Sequence, residues 1–154
     1  MQKEILGPDH PHTVLALANL ASSYSDMGQY QQGMELSEQV LEMRREILGP
    51  DHPDTVSAMA NLASSYSDLG QYQQAMRLEE QVLKMRTQFL GHEHPDTLLA
   101  MWNLAVTLQR LEKKEDLQQL LLVAVPIYEK VQGVNNSKTA TLREWLNNVV
   151  DTSL

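Results

Sequence analysis

The chain has 154 residues, 42% of them hydrophobic and 21% charged. That is enough for one domain of ordinary size, and the balance fits neither a disordered tail nor a membrane protein. Twelve Lys and Arg against twenty Asp and Glu leave a formal net charge of -8, which repels phosphate backbones and argues against nucleic-acid binding. The absence of cysteine removes disulfides, thiol nucleophiles and thiolate zinc sites together. No apolar run approaches the roughly 20 residues of a spanning helix. The opening MQKEILGPDH has no apolar stretch of the signal-peptide kind. The expectation is a cytoplasmic protein with no membrane or nucleic-acid partner.

In chain order, MQKEILG at the start aligns with MRREILG at Met43–Gly49. Residues 1–5 therefore read as the last turn of a preceding unit's second helix, as in a piece of a longer array. A repeat follows. LGPDHPHT begins at Leu6, LGPDHPDT at Leu48 and LGHEHPDT at Leu90, a period of 42 residues. Copy one (6–47) and copy two (48–89) differ at 11 of 42 positions; copy three (90–131) keeps the start motif but loses Gly and Tyr at its turn. Residues 132–154 repeat Gly133 and Thr139 and then supply one capping helix.

Each unit reads as two helices. Pro53 behind Asp51-His52 is a helix start, because Pro tolerates the first turn and a polar residue ahead of it can cap. Met59, Leu62, Ala63, Tyr66 and Leu69 recur at three- and four-residue spacing, one helical face. Gly70-Gln71 ends that helix, since Gly readily takes the left-handed conformation. A second helix offers Ala75, Leu78, Val82, Met85 and Phe89, with small Ala63 and Ala75 allowing close approach. Copy three repeats the pattern with Met101, Leu104, Ala105, Leu108 and Leu111, then Leu117, Leu120, Leu121, Ala124 and Val131. Pro126 is expected to kink or shorten the latter helix. The last helix offers Leu142, Trp145, Leu146, Val149 and Val150. The predicted helices are 11–26, 30–47, 53–68, 72–89, 95–110, 114–131 and 137–150, an all-α chain.

NLA-x-x-Y-x-x-x-G-x-Y-x-x-A is met at Asn61, Leu62, Ala63, Tyr66, Gly70, Tyr72 and Ala75. This resembles the tetratricopeptide repeat, and the 42-residue unit with LGPDHPDT between copies resembles its kinesin light chain-like subtype. The resemblance implies a right-handed solenoid of antiparallel helix pairs, about three repeats plus the capping helix. It further implies a non-catalytic scaffold binding a protein or peptide segment in a concave groove lined by the first helices. The same subtype occurs at the C-terminal ends of NLR-like signalling ATPases, so an alternative is the ligand-recognition end of such a protein.

The groove candidates are Leu15, Ala18, Asn19 and Ser22 in copy one, and Ser57, Ala60, Asn61 and Ser64 in copy two. Copy three adds Leu99, Trp102, Asn103 and Val106. The three asparagines form a ladder whose amides can hydrogen-bond an extended backbone. Trp102 stands where Ala18 and Ala60 stand, a place that suits an open groove better than a close-packed core. The histidines at 10, 12, 52, 92 and 94 all lie in the turns between units and read as helix-start residues rather than metal ligands. No nucleophile–base pair or phosphate-binding loop is legible, and no cofactor or metal is expected. If residues 1–5 are a cut helix, the outward face of the first full helix is open to pairing with another chain.

Overall fold

The computed structural model describes residues 10–152. The expectation for residues 1–5 falls outside them. Among the described residues there are seven helices and no strand: α1 Pro11–Asp26, α2 Tyr30–Leu48, α3 Pro53–Asp68, α4 Tyr72–Leu90, α5 Pro95–Arg110, α6 Lys114–Gln132 and α7 Ser137–Thr152. The sequence placed each boundary within two residues, because the turn motif marks both ends of every unit.

That motif works through one set of contacts used repeatedly. Gly49 ends α2 with φ 93°, in the left-handed region that glycine enters without steric cost. The His52 Nδ1 accepts the Asp54 amide at 3.0 Å, and His10 and His94 do the same for the amides of His12 and Asp96. These imidazoles are N-caps, satisfying amides that the first helical turn leaves unpaired. Asn136 takes the role for α7, its Oδ1 accepting from the amides of Lys138 and Thr139. Thr55 is fully buried, and its hydroxyl reaches the carbonyls of Gly49 at 2.7 Å and Arg44 at 3.3 Å. It ties the start of α3 to the end of α2. Thr97 repeats the tie to Arg86.

The chain divides into two compact units, one ending at Leu78 and the other beginning at Glu79, with the division inside α4. In the first, α2 packs against both α1 and α3. Its core includes Val14, Ala21, Met34, Val40 and Leu41 with Val56, Met59, Leu62 and Ala63. Gly33 lies so near α1 that a Cβ there would stand 3.1 Å from the Ala21 carbonyl and 2.7 Å from the Ser25 hydroxyl. In the second unit, α6 packs against α5 and α7. Leu104, Ala105, Leu108, Leu117, Leu121, Ala124 and Leu142 are buried there.

Several expectations fail at the ends of stripes. Phe89, Val131 and Val150 are exposed, not buried. Ile47, at the place of Phe89 in copy one, is exposed as well. A stripe read from spacing continues as long as its apolar residues do, whereas burial lasts only where another helix faces it. Tyr66, Leu69, Leu78, Met85, Leu111, Leu120, Trp145 and Leu146 are half-buried. Helix α6 neither ends nor shortens at Pro126 and continues to Gln132. Proline removes the amide that would have met the carbonyl four residues earlier. Leu122, Val123 and Pro126 all lie on an exposed face, where solvent can satisfy that carbonyl.

Copy three keeps its turn geometry without glycine. Glu112 stands at the place of Gly28 and Gly70 and adopts φ 56°, close to their 77° and 74°. The bond from the Lys113 amide to the Leu108 carbonyl reproduces the one from Gln71 to Tyr66. Packing of the helix pair holds the turn against a residue that disfavours it.

Candidate functional site

The first helix of each copy buries one face and leaves the candidate residues on the other. In the first unit Leu15, Asn19, Ser22, Asn61 and Ser64 are exposed, while Ala18, Ser57 and Ala60 are half-buried. The Ser22 and Ser64 hydroxyls donate back to the carbonyls of Ala18 and Ala60, both at 3.3 Å. They are engaged within their own helices. The Asn19 and Asn61 carbonyls accept from Ser23 at 3.0 Å and Ser65 at 3.2 Å. Their side-chain amides stand on the exposed surface, two donors and an acceptor each.

In the second unit Leu99 is exposed, and Trp102, Asn103 and Val106 are half-buried. Trp102 does not stand open as an anchor. Its ring stacks on Trp145 of α7, with centroids 5.8 Å apart and planes 15° from parallel. The Lys138 Nζ lies 5.1 Å from the Trp102 ring, within the reach of a cation–π contact. Trp145 sits 42 residues after Asn103, at the next place of the asparagine ladder. That offset was legible in the sequence, which had assigned Trp145 only to the apolar face of the last helix. The two indoles join the first-helix faces of α5 and α7.

Each unit also carries an open cavity beside its exposed leucine. One, of about 270 Å³, is lined by Pro11, Val14, Leu15, Arg44 and Leu48 among others. The other, also about 270 Å³, is lined by Pro95, Leu98, Leu99, Tyr128 and Gln132 among others. These residues correspond pairwise at two repeat lengths. The roof differs: the Arg44 guanidinium donates to the Asp54 carbonyl at 3.1 Å, whereas the Tyr128 hydroxyl donates to the Leu98 carbonyl at 2.6 Å. Burial pushes the Tyr128 hydroxyl up to about 12.

Where a second helix meets the following first helix, one place changes chemistry from copy to copy. Ser37 on α2 faces Ser65 on α3, oxygens 3.4 Å apart. The same place on α4 is Glu79, which hydrogen-bonds Thr107 on α5. On α6 and α7 the corresponding residues are Leu121 and Val149, both buried. Glu79 is buried although it is a carboxylate, and its Oε2 has no hydrogen-bond partner among the described residues. Desolvation raises its pKa to about 7, with Thr107 pulling the other way. Nothing in the sequence signalled this, since a Glu on a helix usually faces solvent, as the adjacent Glu80 does. Tyr66 reaches back to Glu38 at 2.8 Å. Burial first, and then that carboxylate, raise its hydroxyl above the ordinary range.

The tetratricopeptide repeat family profile matches residues 13–88. No curated protein matches the chain. Among solved structures, the chain is similar to the nearly identical TPR-like repeats of a putative kinesin light chain from Podosopora anserina. The identity is 28% and the TM-score 0.85, over 99% of this chain and 72% of that one. A point variant of the same protein aligns with the same values. BtubC (BKLC) from P. vanneervenii shares the fold at 20% identity and a TM-score of 0.71, over 99% of this chain and 62% of that one.

Proposed function

Since this chain is a tetratricopeptide repeat array of the kinesin light chain-like type, we propose that it is a non-catalytic, cytoplasmic scaffold that binds an extended protein segment on its first-helix faces. Such repeats generally mediate protein–protein contact, and such scaffolds are generally without catalysis. Among the described residues no helix is long and apolar enough to cross a membrane.

The observation that carries the reading is the pair Asn19 and Asn61 in the first unit. Both are exposed, both sit at the same place of adjacent copies, and both present amides that pair with a peptide backbone whatever its side chains. Leu15, exposed beside a cavity, adds an apolar contact one turn away. The second unit, by itself, presents the Trp102–Trp145 stack and Lys138, an aromatic surface with one positive charge.

The test is to select peptides on the intact chain from a random displayed library, then titrate them against variants. Asn61→Ala is expected to weaken binding about 2- to 10-fold, equivalent to about 0.5–1.5 kcal/mol, with the melting midpoint unchanged. Selected peptides that keep full affinity for the Asn19→Ala, Asn61→Ala double variant would move the binding surface elsewhere.

A further inference from the structure

The outward face of α6 departs from that of the other second helices. Leu122 is 56% exposed and Val123 is 49% exposed, and Pro126, one turn on, is exposed beside them. At the same places α2 carries Glu38, Gln39 and Glu42, and α4 carries Glu80, Gln81 and Lys84, all facing solvent. A place of the repeat that is polar or charged in two copies is therefore apolar in the third. Apolar side chains clustered in water in this way mark a contact surface. Pro126 adds a second feature, since it has no amide to meet the Leu122 carbonyl. An acceptor is thereby released on the same face.

We propose that this face joins two copies of the chain, with α6 lying antiparallel to the α6 of its partner about a two-fold axis between Leu122 and Val123. The order of residues along the face selects a second copy as the occupant. Reversed about that axis, Glu115 falls opposite the partner's Lys130, and Gln119 falls opposite the partner's Pro126. Glu115, Gln119, Pro126 and Lys130 are all exposed and share the side of the helix that carries Leu122 and Val123. The apolar centre is thus closed at each end by opposite charges, which fix register and direction more than they add affinity. The partner's Gln119 brings a side-chain amide donor to the Leu122 carbonyl that Pro126 has released. The same arrangement on α4 would set Arg77 against the partner's Lys84, and on α2 it would set Glu35 against the partner's Glu42. Both are like-charge pairs, so of the three second helices α6 alone suits self-pairing. The contact from Glu115 to Lys130 runs along about 22 Å of helix. That is small for a specific interface, so the dimer is a weak one that forms as concentration rises. The face lies on a second helix, and the proposal does not depend on the first-helix function above.

The test is sedimentation equilibrium of the whole chain from micromolar to millimolar concentration, over which monomer is expected to give way to dimer. Leu122→Glu supplies the residue that α2 and α4 carry at this place. It should leave a monomer throughout, with the melting midpoint within a degree or two of the parent because Leu122 is already exposed. Glu115→Lys should raise the dissociation constant several-fold, and adding Lys130→Glu should recover the dimer. The chain has no cysteine, so single introduced thiols read the direction of pairing. Val123→Cys lies beside the axis, within disulfide reach of its mate, and should cross-link on oxidation. Glu115→Cys would stand about 22 Å from its mate and should not. A monomer at every concentration overturns the proposal, and so does a dimer that survives Leu122→Glu. Cross-linking of Glu115→Cys as readily as of Val123→Cys overturns the antiparallel arrangement.

Discussion

Glu79 gives stability a pH dependence whose size and sign follow from its place in the fold. The carboxyl is buried on α4 and hydrogen-bonded to Thr107, and its Oε2 has no hydrogen-bond partner among the described residues. Its pKa rises from 4.5 to about 7, so the folded protein holds a proton that the unfolded chain has released. Within that window unfolding releases a proton, and stability falls as pH rises. The contribution is intact below the unfolded value. At about 1.4 kcal/mol per unit, the loss accumulates to roughly 3 kcal/mol once pH passes the folded value. Glu79→Gln removes the ionisation while keeping the shape. The constant cost of a buried amide is the same at every pH and drops out of the trend. The measurement is urea unfolding of both proteins at pH 5, 6, 7 and 8, followed by far-ultraviolet circular dichroism. Fluorescence of Trp102 and Trp145 reports the second unit in the same titration. Other titrating groups are common to both proteins and cancel in the difference. The variant should gain on the parent from pH 5 to about pH 7 and level off towards pH 8. A difference constant within about 0.5 kcal/mol over that range would show that Glu79 is solvated and ionised throughout, and the reasoning from burial would fail.

Leu62→Ala should destabilise the protein by about 2–5 kcal/mol, the range for a well-packed buried leucine, with exposed Gln74→Ala as the control in the same denaturation series. Glu112→Gly should stabilise by about 1 kcal/mol, because it relieves a left-handed backbone angle where glycine already serves in the other copies; a lower melting midpoint would contradict that. His52→Ala should cost about 1 kcal/mol through the lost cap. His52→Asn should recover most of it, since Asn136 already caps α7; equal losses in both variants would separate the imidazole from capping.

The repeat and its helix boundaries were written in the sequence because they depend on short-range chemistry. Proline opens the first helix of each full unit, an imidazole caps its first amides, and glycine closes the second helix. None of these needs a distant partner. The inner stripes at Met59, Leu62 and Ala63 were legible for the same reason, since spacing along one helix fixes which side chains share a face. Whether that face is covered is a separate matter. Leu20 and Leu62 occupy the same place in near-identical copies, yet only Leu62 is buried. Phe89 continues a buried stripe and is itself exposed. Glu112 adopts an angle its own preference opposes, and Trp102 meets an indole on a different helix. Glu79 is a charged residue type that the tertiary structure has placed out of water. Each of these depends on which element packs against the residue. Local periodicity carries no information about that, because contact with a second helix is set by the whole arrangement and not by the spacing within one.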